Sequence, residues 1–382
     1  MEDVYVLAVM RTPIVGKNGR FRTVRPEILG AEVLKALKNR CGFAAPDGIL
    51  GGNAVGTGGN IARLMSLQAG FDPSVPACTV DMQCASAAAA ISLAYAKLAS
   101  GQGDIWIAGG MESSSLQPLR VYAARDERYG MTPNRDGQYY TAQFAPKDMS
   151  PDTMLRGAER VASAEGITRR ELEGWALRSH RRAAEAAQNG VFEDILVPVN
   201  GWKNDDGIRL QMSQRLLDRL PLLLGEGTTL TAGTACCIND GAAFAVLASG
   251  RYVAKTGFRP LARIIGTAAV GGDPAESPRG AMQTAEVLLG RLGLCHEQLA
   301  AIEYNEAFAV IDVLFERAHP DCLNRYNRFG GALAYGHPYG ASGAVLLAQL
   351  IKSLKAAGGG KGILSIAGAG GMGEAIALEL VK

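Results

Sequence analysis

The sequence predicts an α/β protein made of two similar halves with a segment inserted between them, on three observations. Short β-branched runs alternate with longer helical patterns, as in α/β units with buried sheets. Two distant stretches resemble each other: Ile105-Trp106-Ile107-Ala108-Gly109-Gly110-Met111-Glu112 and Leu364-Ser365-Ile366-Ala367-Gly368-Ala369-Gly370-Gly371-Met372-Gly373-Glu374. Each follows an Ala/Ser-rich helical pattern and enters a glycine turn carrying Met and Glu, which reads as duplication or as chance similarity. Between them, residues 118–238 change character, gathering Arg, Asp, Gln and Tyr around Arg120, Arg125-Asp126-Glu127-Arg128-Tyr129 and Tyr139-Tyr140. That segment reads as an inserted cap, either a solvated surface excursion or a contact to a ligand or a second subunit.

In chain order, residues 4–9 are expected to form a strand, 27–39 a helix, 77–80 a strand, 85–98 a helix and 104–108 a strand. Helical patterns follow over 168–189 and 213–220. Near the carboxyl end a helix over 342–356 leads to a strand over 362–366 and a glycine turn.

Composition bounds the function. The 382 residues suffice for roughly two or three domains, and 48% apolar with 20% charged residues excludes disorder. Lys and Arg number 39 against 37 Asp and Glu, a net charge of +2, and no stripe of interleaved cations and aromatics is present. Nucleic acid is therefore not an expected partner. Glycine, 48 residues against a usual share of ~7%, signals tight turns and close backbone approaches. The start, Met1-Glu2-Asp3 running into Val4-Tyr5-Val6, carries no signal for export, and no apolar run reaches ~18 residues, so a cytoplasmic protein with no membrane association is expected. Seven cysteines without a C-x-x-C pair suit reduced thiols rather than disulfides or a metal site.

Three segments carry chemistry. Val80-Asp81-Met82-Gln83-Cys84-Ala85-Ser86 places a cysteine where a strand meets a helix. The helix dipole and free N–H groups there favour thiolate, so Cys84 is expected to be a low-pKa thiol facing an internal site. A small core hydrophobe is the other reading of a single cysteine. Ile302-Glu303-Tyr304-Asn305-Glu306-Ala307-Phe308 ends an apolar run in Asn-Glu, where Asn305 either caps a helix or reaches a site. In Gly330-Gly331-Ala332-Leu333-Ala334-Tyr335-Gly336-His337-Pro338-Tyr339-Gly340-Ala341-Ser342-Gly343, glycines and a proline frame one imidazole. Such a ring can activate a thiol or donate to an oxyanion, which favours function over a structural role.

With these segments in view the chain resembles the thiolases, coenzyme A-dependent acyltransferases that make or break the carbon–carbon bond of a 3-oxoacyl thioester. The resemblance also rests on Gly109-Gly110-Met111-Glu112-Ser113, Thr231-Ala232-Gly233 and Ile238-Asn239-Asp240-Gly241-Ala242-Ala243, and spans essentially the whole chain. It implies five layers, αβαβα: residues 1–117 and 239–262 form the first half, 118–238 an inserted loop domain, and 263–382 the second half. It implies Cys84 as acyl-accepting nucleophile, His337 as its activator, and His337 with a water held by Asn305 as one oxyanion hole. A second hole would use the N–H groups of Cys84 and Ala369. Coenzyme A or acyl-CoA would be a substrate, with no tightly bound cofactor and no metal, and would meet Thr231, Ala232, Gly233 and Cys236. A homodimer or homotetramer is implied.

Two departures qualify this. Thiolases end in a Cys-x-Gly-Gly-Gly-x-Gly turn whose cysteine shuttles the substrate α-proton. Here Ala367 occupies that place, or Ser365 if two residues are inserted, and no cysteine follows Cys322. Cys236 stands where a serine near the pantetheine is usual, which makes it the one thiol that motif position brings near the site. The departures leave two alternatives: a condensing or acyl-transfer enzyme of the same fold that needs no second cysteine, and a silent acyl-CoA-binding subunit of a complex.

Overall fold

The structure, a computed structural model, describes residues 2–146 and 150–381. Nine strands follow the path of its main sheet: β1 (Val4–Arg11), β2 (Gly48–Gly52), β3 (Ala77–Val80), β4 (Ile105–Ser113), β5 (Asn239–Ser249), β6 (Ala262–Gly271), β7 (Ala301–Tyr304), β8 (Lys361–Gly368) and β9 (Met372–Leu380). Their order is β7-β8-β9-β6-β1-β5-β4-β2-β3. Read outward from the centre, both halves follow one plan. The first strand of each, β1 or β6, is flanked by its last, β5 or β9, then by β4 or β8, then by β2 or β7. Where β3 closes the first half, a parallel bridge from Ile302 to Tyr326 takes the same place in the second. β1 and β6 join the halves by antiparallel pairing of Val4 to Val6 with Ile264 to Ala262.

The longer helices are α1 (Pro26–Cys41), α2 (Ile61–Gln68), α3 (Ser86–Ala99), α4 (Thr153–Ala164), α5 (Arg169–Gln188), α6 (Gly280–Leu292), α7 (Ala309–Ala318) and α8 (Ser342–Ala356). α3 and α8 pack on each other and on strands of both halves, which makes them the middle of five layers. Small side chains permit this: Ala87, Ala88, Ala90 and Ala94 are fully buried, and a Cβ at Gly343 would lie 2.3 Å from the Ala88 nitrogen. α1 and α2 cover the outer face of the first half and α6 that of the second. With both faces covered, β4 and β5 are buried along their whole length and read as nearly continuous apolar runs.

Two expectations are corrected. Gly109 to Glu112 continue strand β4 instead of turning. Their glycines serve close approach: a Cβ at Gly110 would sit 1.9 Å from the Gly340 carbonyl oxygen, so the strand can carry none. In the carboxyl-terminal counterpart a true turn forms at Gly370 and Gly371, both at positive φ. The helix expected over 213–220 is only Gln214–Leu217, since Pro221 biases Leu220 away from helical geometry.

The inserted segment is more than a solvated excursion. α5 starts at a capping box of Thr168 and Glu171, and Val161, Leu172 and Trp175 bury against the outer core of the second half. Arg11 of β1 grips Asp205 through two hydrogen bonds of 2.7 and 2.8 Å, which ties the segment to the first half as well. Among the described residues, no helix is long and apolar enough to cross a membrane, no group of three or more His, Cys, Asp or Glu is placed to hold a metal ion, and all seven cysteines are free.

Buried carboxyl groups couple stability to pH. Glu303 is buried, with Oε1 accepting from Ser353 Oγ at 2.6 Å and Oε2 unpartnered, and burial raises its pKa to about 8. A carboxyl with a higher pKa folded than unfolded holds its proton more tightly in the fold. The stability it contributes is complete below the unfolded value, roughly 4.3, and is lost as pH rises through the folded value. Buried histidines act in the opposite sense, so the readout is the difference between variant and parent. Relative to the parent, Glu303→Gln should gain stability between roughly pH 5 and 8, by at most about 1.4 kcal/mol per pH unit. Denaturant titrations across that range check this, and a constant difference would refute it.

Candidate active site

Strand β3 ends at Val80, and a single tight turn, Gln83–Ala85, leads into α3. Gln83 adopts the left-handed region at φ 52°, uncommon for a side-chain-bearing residue. Asp81 compensates by accepting from the Gln83 backbone N–H at 2.8 Å, and Ser86 Oγ donates to the Gln83 carbonyl at 2.6 Å. The sharp elbow presents Cys84 to a cavity of about 640 Å³ between the inserted segment and the strand ends. Arg120, Phe144, Met154, Leu155, Ala232 and Cys236 of the inserted segment line it, together with Cys84, Gln117, His337 and Ala369 of the two halves.

The acidic thiol expected at Cys84 is not what this environment provides. The side chain is half-buried at the cavity, and protein surrounds it closely enough that burial dominates and pushes its pKa up to about 12. N–H groups of Ala369 and Cys84 hydrogen-bond to the sulfur and act the other way, while the charges of Glu112 and Asp81 raise it further. A thiol held protonated at neutral pH needs a base at the moment it attacks.

His337 is the imidazole on the same wall, and its place is tightly built. Gly336, at φ 97°, has no room for a Cβ, which would lie 2.1 Å from Asn239 Oδ1. The His337 N–H donates to the Cys237 carbonyl at 3.0 Å and to Asn239 Oδ1 at 3.1 Å. On the ring, Nδ1 lies 2.6 Å from Ser342 Oγ, whose own hydrogen goes to the Pro338 carbonyl at 3.0 Å. That assigns the proton to Nδ1 and leaves Nε2 with a lone pair. Asn305 Nδ2 lies 3.4 Å from Nε2, in agreement. Burial pushes the imidazole pKa down to about 3, so the ring is neutral at physiological pH.

The other expected site residues divide. Asn305 is no helix cap, because α7 begins at Ala309 after Phe308. It is buried behind His337 and is not on the cavity wall. Ala232 and Cys236 are on the wall, whereas Thr231 and Gly233 are not. Thr231 is fully buried and its Oγ1 accepts from the Gly233 N–H at 3.2 Å, so this pair shapes the turn. Ser365 and Ala367 also lie off the wall. The Ser365 hydroxyl donates to the Ala281 carbonyl at 2.6 Å, and Ala367 faces α6, its Cβ 3.7 Å from where one at Gly280 would be. Three supports went unassigned in the sequence: Ser342, which fixes the His337 tautomer; Tyr339, whose ring packs edge-on against the imidazole at 4.9 Å; and Glu112, which accepts from the N–H groups of Ala54 and Gly340 at 2.9 Å each. The first two stand inside the quoted glycine-rich segment, but only the folded helix start reveals that Ser342 turns back on His337.

Comparison with known proteins agrees with this architecture. Residues 4–251 match the thiolase N-terminal domain and residues 258–380 the thiolase C-terminal domain. The chain is 33% identical over 389 residues to a steroid 3-ketoacyl-CoA thiolase from Mycobacterium tuberculosis, covering 99% of this chain and 94% of that protein. Its fold superimposes on an acetyl-CoA acetyltransferase from Bacillus anthracis with a TM-score of 0.93 at 29% identity, covering 100% and 99% of the two chains. It superimposes on human mitochondrial 3-ketoacyl-CoA thiolase in complex with CoA with a TM-score of 0.90 at 28% identity, covering 100% and 98%. Two matched domains in order, the duplicated five-layer fold and relatives aligned over nearly their full length lead to one conclusion: the chain belongs to the thiolase family of coenzyme A-dependent acyltransferases.

Proposed function

We propose that Cys84 is the acyl carrier, His337 its base and oxyanion donor, and Asn305 the residue that orients the neutral imidazole, in an acyl transfer that cleaves or forms the carbon–carbon bond of a 3-oxoacyl-CoA. The observation that carries this reading is the unprotonated Nε2 of a neutral imidazole held at the same cavity as a half-buried, protonated thiol. As Cys84 Sγ attacks the thioester or ketone carbon, its proton passes to Nε2. The imidazolium so formed then donates Nε2–H to the developing oxyanion, and one group serves both needs. The second oxyanion hole of this reading uses the backbone N–H groups of Cys84 and Ala369, two residues of the same cavity wall.

The cavity size falls within the range for small-molecule sites. Its apolar wall of Phe144, Met154, Leu155, Leu223 and Phe308 suits a pantetheine arm and an acyl chain, and Lys17 and Arg120 add positive charge for an anionic substrate. A homodimer or homotetramer is supported by β3, whose outer edge has no partner strand among the described residues, beside exposed Leu64 and Leu67.

Mixing the protein with acetyl-CoA should add one acetyl group to the peptide carrying Cys84, read by mass spectrometry. Acetoacetyl-CoA should be cleaved in the presence of coenzyme A. Acetyl on another residue, or none at all, would overturn the assignment.

A further inference from the structure

The reaction needs a second group that moves protons, because breaking the bond between C2 and C3 of a 3-oxoacyl-CoA leaves an enolate whose carbon must be protonated. The carboxyl-terminal turn offers none at the cavity, since the Ser365 hydroxyl is committed to the Ala281 carbonyl and Ala367 faces α6. Cys236 is differently placed. The Cys236 N–H donates to the Ala307 carbonyl at 3.0 Å, and the Cys237 carbonyl accepts from His337 at 3.0 Å. The chain at Cys236 is thus laced between the segment carrying Asn305 and the one carrying His337. Its side chain is half-buried, on the wall of the cavity that Cys84 and His337 share. Among the other titratable residues on that wall, Arg120 does not deprotonate, and Lys17, Tyr140 and the neighbouring thiol Cys237 are exposed to solvent. Tyr339 is the rival, with its phenol hydrogen-bonded to nothing among the described residues.

We propose that Cys236 is the second proton carrier of the reaction, protonating the α-carbon of the departing enolate and then accepting the proton of the incoming coenzyme A thiol. This rests on the reading of Cys84 as acyl carrier. In the first half-reaction the Cys84 sulfur bonds to C3, the C2–C3 bond breaks, its electron pair becomes the enolate, and the Cys236 S–H proton moves to C2 to release acetyl-CoA. Cys236 is left as thiolate. In the second, coenzyme A gives its S–H proton to Cys236 and its sulfur attacks the Cys84 thioester. Cys84 departs with the bonding pair and regains its proton from His337, so every group returns to its starting state. Burial, together with the nearby Cys84 and Cys237, keeps the resting Cys236 thiol well above the usual range, which suits a group that must begin as the acid.

The experiment separates acylation from carbon chemistry in the full-length protein. Acylation is followed with the acetyl thioester of 5-thio-2-nitrobenzoate, whose thiolate leaves without needing a proton. Carbon chemistry is followed by thiolysis of acetoacetyl-CoA and by exchange of acetyl-CoA methyl hydrogens in heavy water. Cys236→Ser should acylate Cys84 within about 3-fold of the parent, while thiolysis and exchange fall by about 10²–10⁴-fold, the usual share of a general acid–base. Parent-like thiolysis and exchange in Cys236→Ser would overturn the proposal. So would equal losses of acylation and carbon chemistry, the mark of a structural role, or transfer of the carbon-specific loss to Tyr339→Phe. Failure of the parent to acylate Cys84 would instead bring down the acyl-carrier assignment itself.

Discussion

Cys84→Ala is expected to abolish acyl-enzyme formation and thiolysis together, with a loss on the order of 10⁶-fold if its nucleophile matters as much as in other acyl-transfer enzymes. The other thiols of the cavity, Cys236 and Cys237, sit on a different loop, and within the elbow from Asp81 to Ser86 only Cys84 brings a thiol to the wall, so nothing replaces the sulfur in place. Stability should barely change. The half-buried side chain packs against the core on one side and borders the cavity on the other, so its loss only enlarges an existing space, and a shift of roughly 1 kcal/mol is expected. Coenzyme A binding should also persist, since the inserted segment supplies much of the wall. Acylation followed by mass spectrometry, calorimetric binding of coenzyme A and thermal melting measure the three separately. Residual acylation above one part in a hundred would mean that another residue carries the acyl group.

The geometry also revises which property of Cys84 matters. The sequence shows a cysteine at a helix start, and from that alone an acidic thiol follows. What it does not show is the third dimension: the glycine turn at 368–371, the His337 loop and the buried Glu112 close around the sulfur, and desolvation then outweighs the two N–H donors. Acidity therefore does not single out Cys84 among the seven thiols; its place at the elbow, on the cavity that His337 also lines, is what the proposed role rests on. The same distinction runs through the fold. The repeated strand and glycine segment pointed to duplication, and the matching strand order of the two halves bears it out. The length of β4 was not legible, because glycines that permit the Gly340 backbone to approach look in sequence like glycines that make a turn. Likewise, Thr231 and Gly233 belong to the same short motif as Ala232 and Cys236, but only the folded turn decides which of the four face the cavity.

His337→Ala should cost more than Asn305→Ala, and the two losses should not add. In the proposed mechanism the imidazole both takes the Cys84 proton and, once charged, donates to the oxyanion. Losing a hole donor alone costs about 2.7–4 kcal/mol, and losing the base adds about 10²–10⁴-fold in rate. Asn305 is buried behind the ring and reaches Nε2 with its amide at 3.4 Å, so it orients the neutral imidazole and its effect passes through His337. Once His337 is gone, removing Asn305 should therefore change little, and the double variant should resemble His337→Ala. Ser342→Ala completes the argument by testing the tautomer: without the Oγ that accepts from Nδ1–H, the ring loses a hydrogen bond worth about 0.5–1.5 kcal/mol and the preference that keeps Nε2 free. That variant should slow Cys84 acylation by about 10-fold while leaving coenzyme A binding unchanged. Single-turnover acylation rates for the four variants provide the check. Additive losses at His337 and Asn305 would separate the two residues into independent roles, and a Ser342→Ala enzyme as fast as the parent would mean that the serine does not set the state of the base.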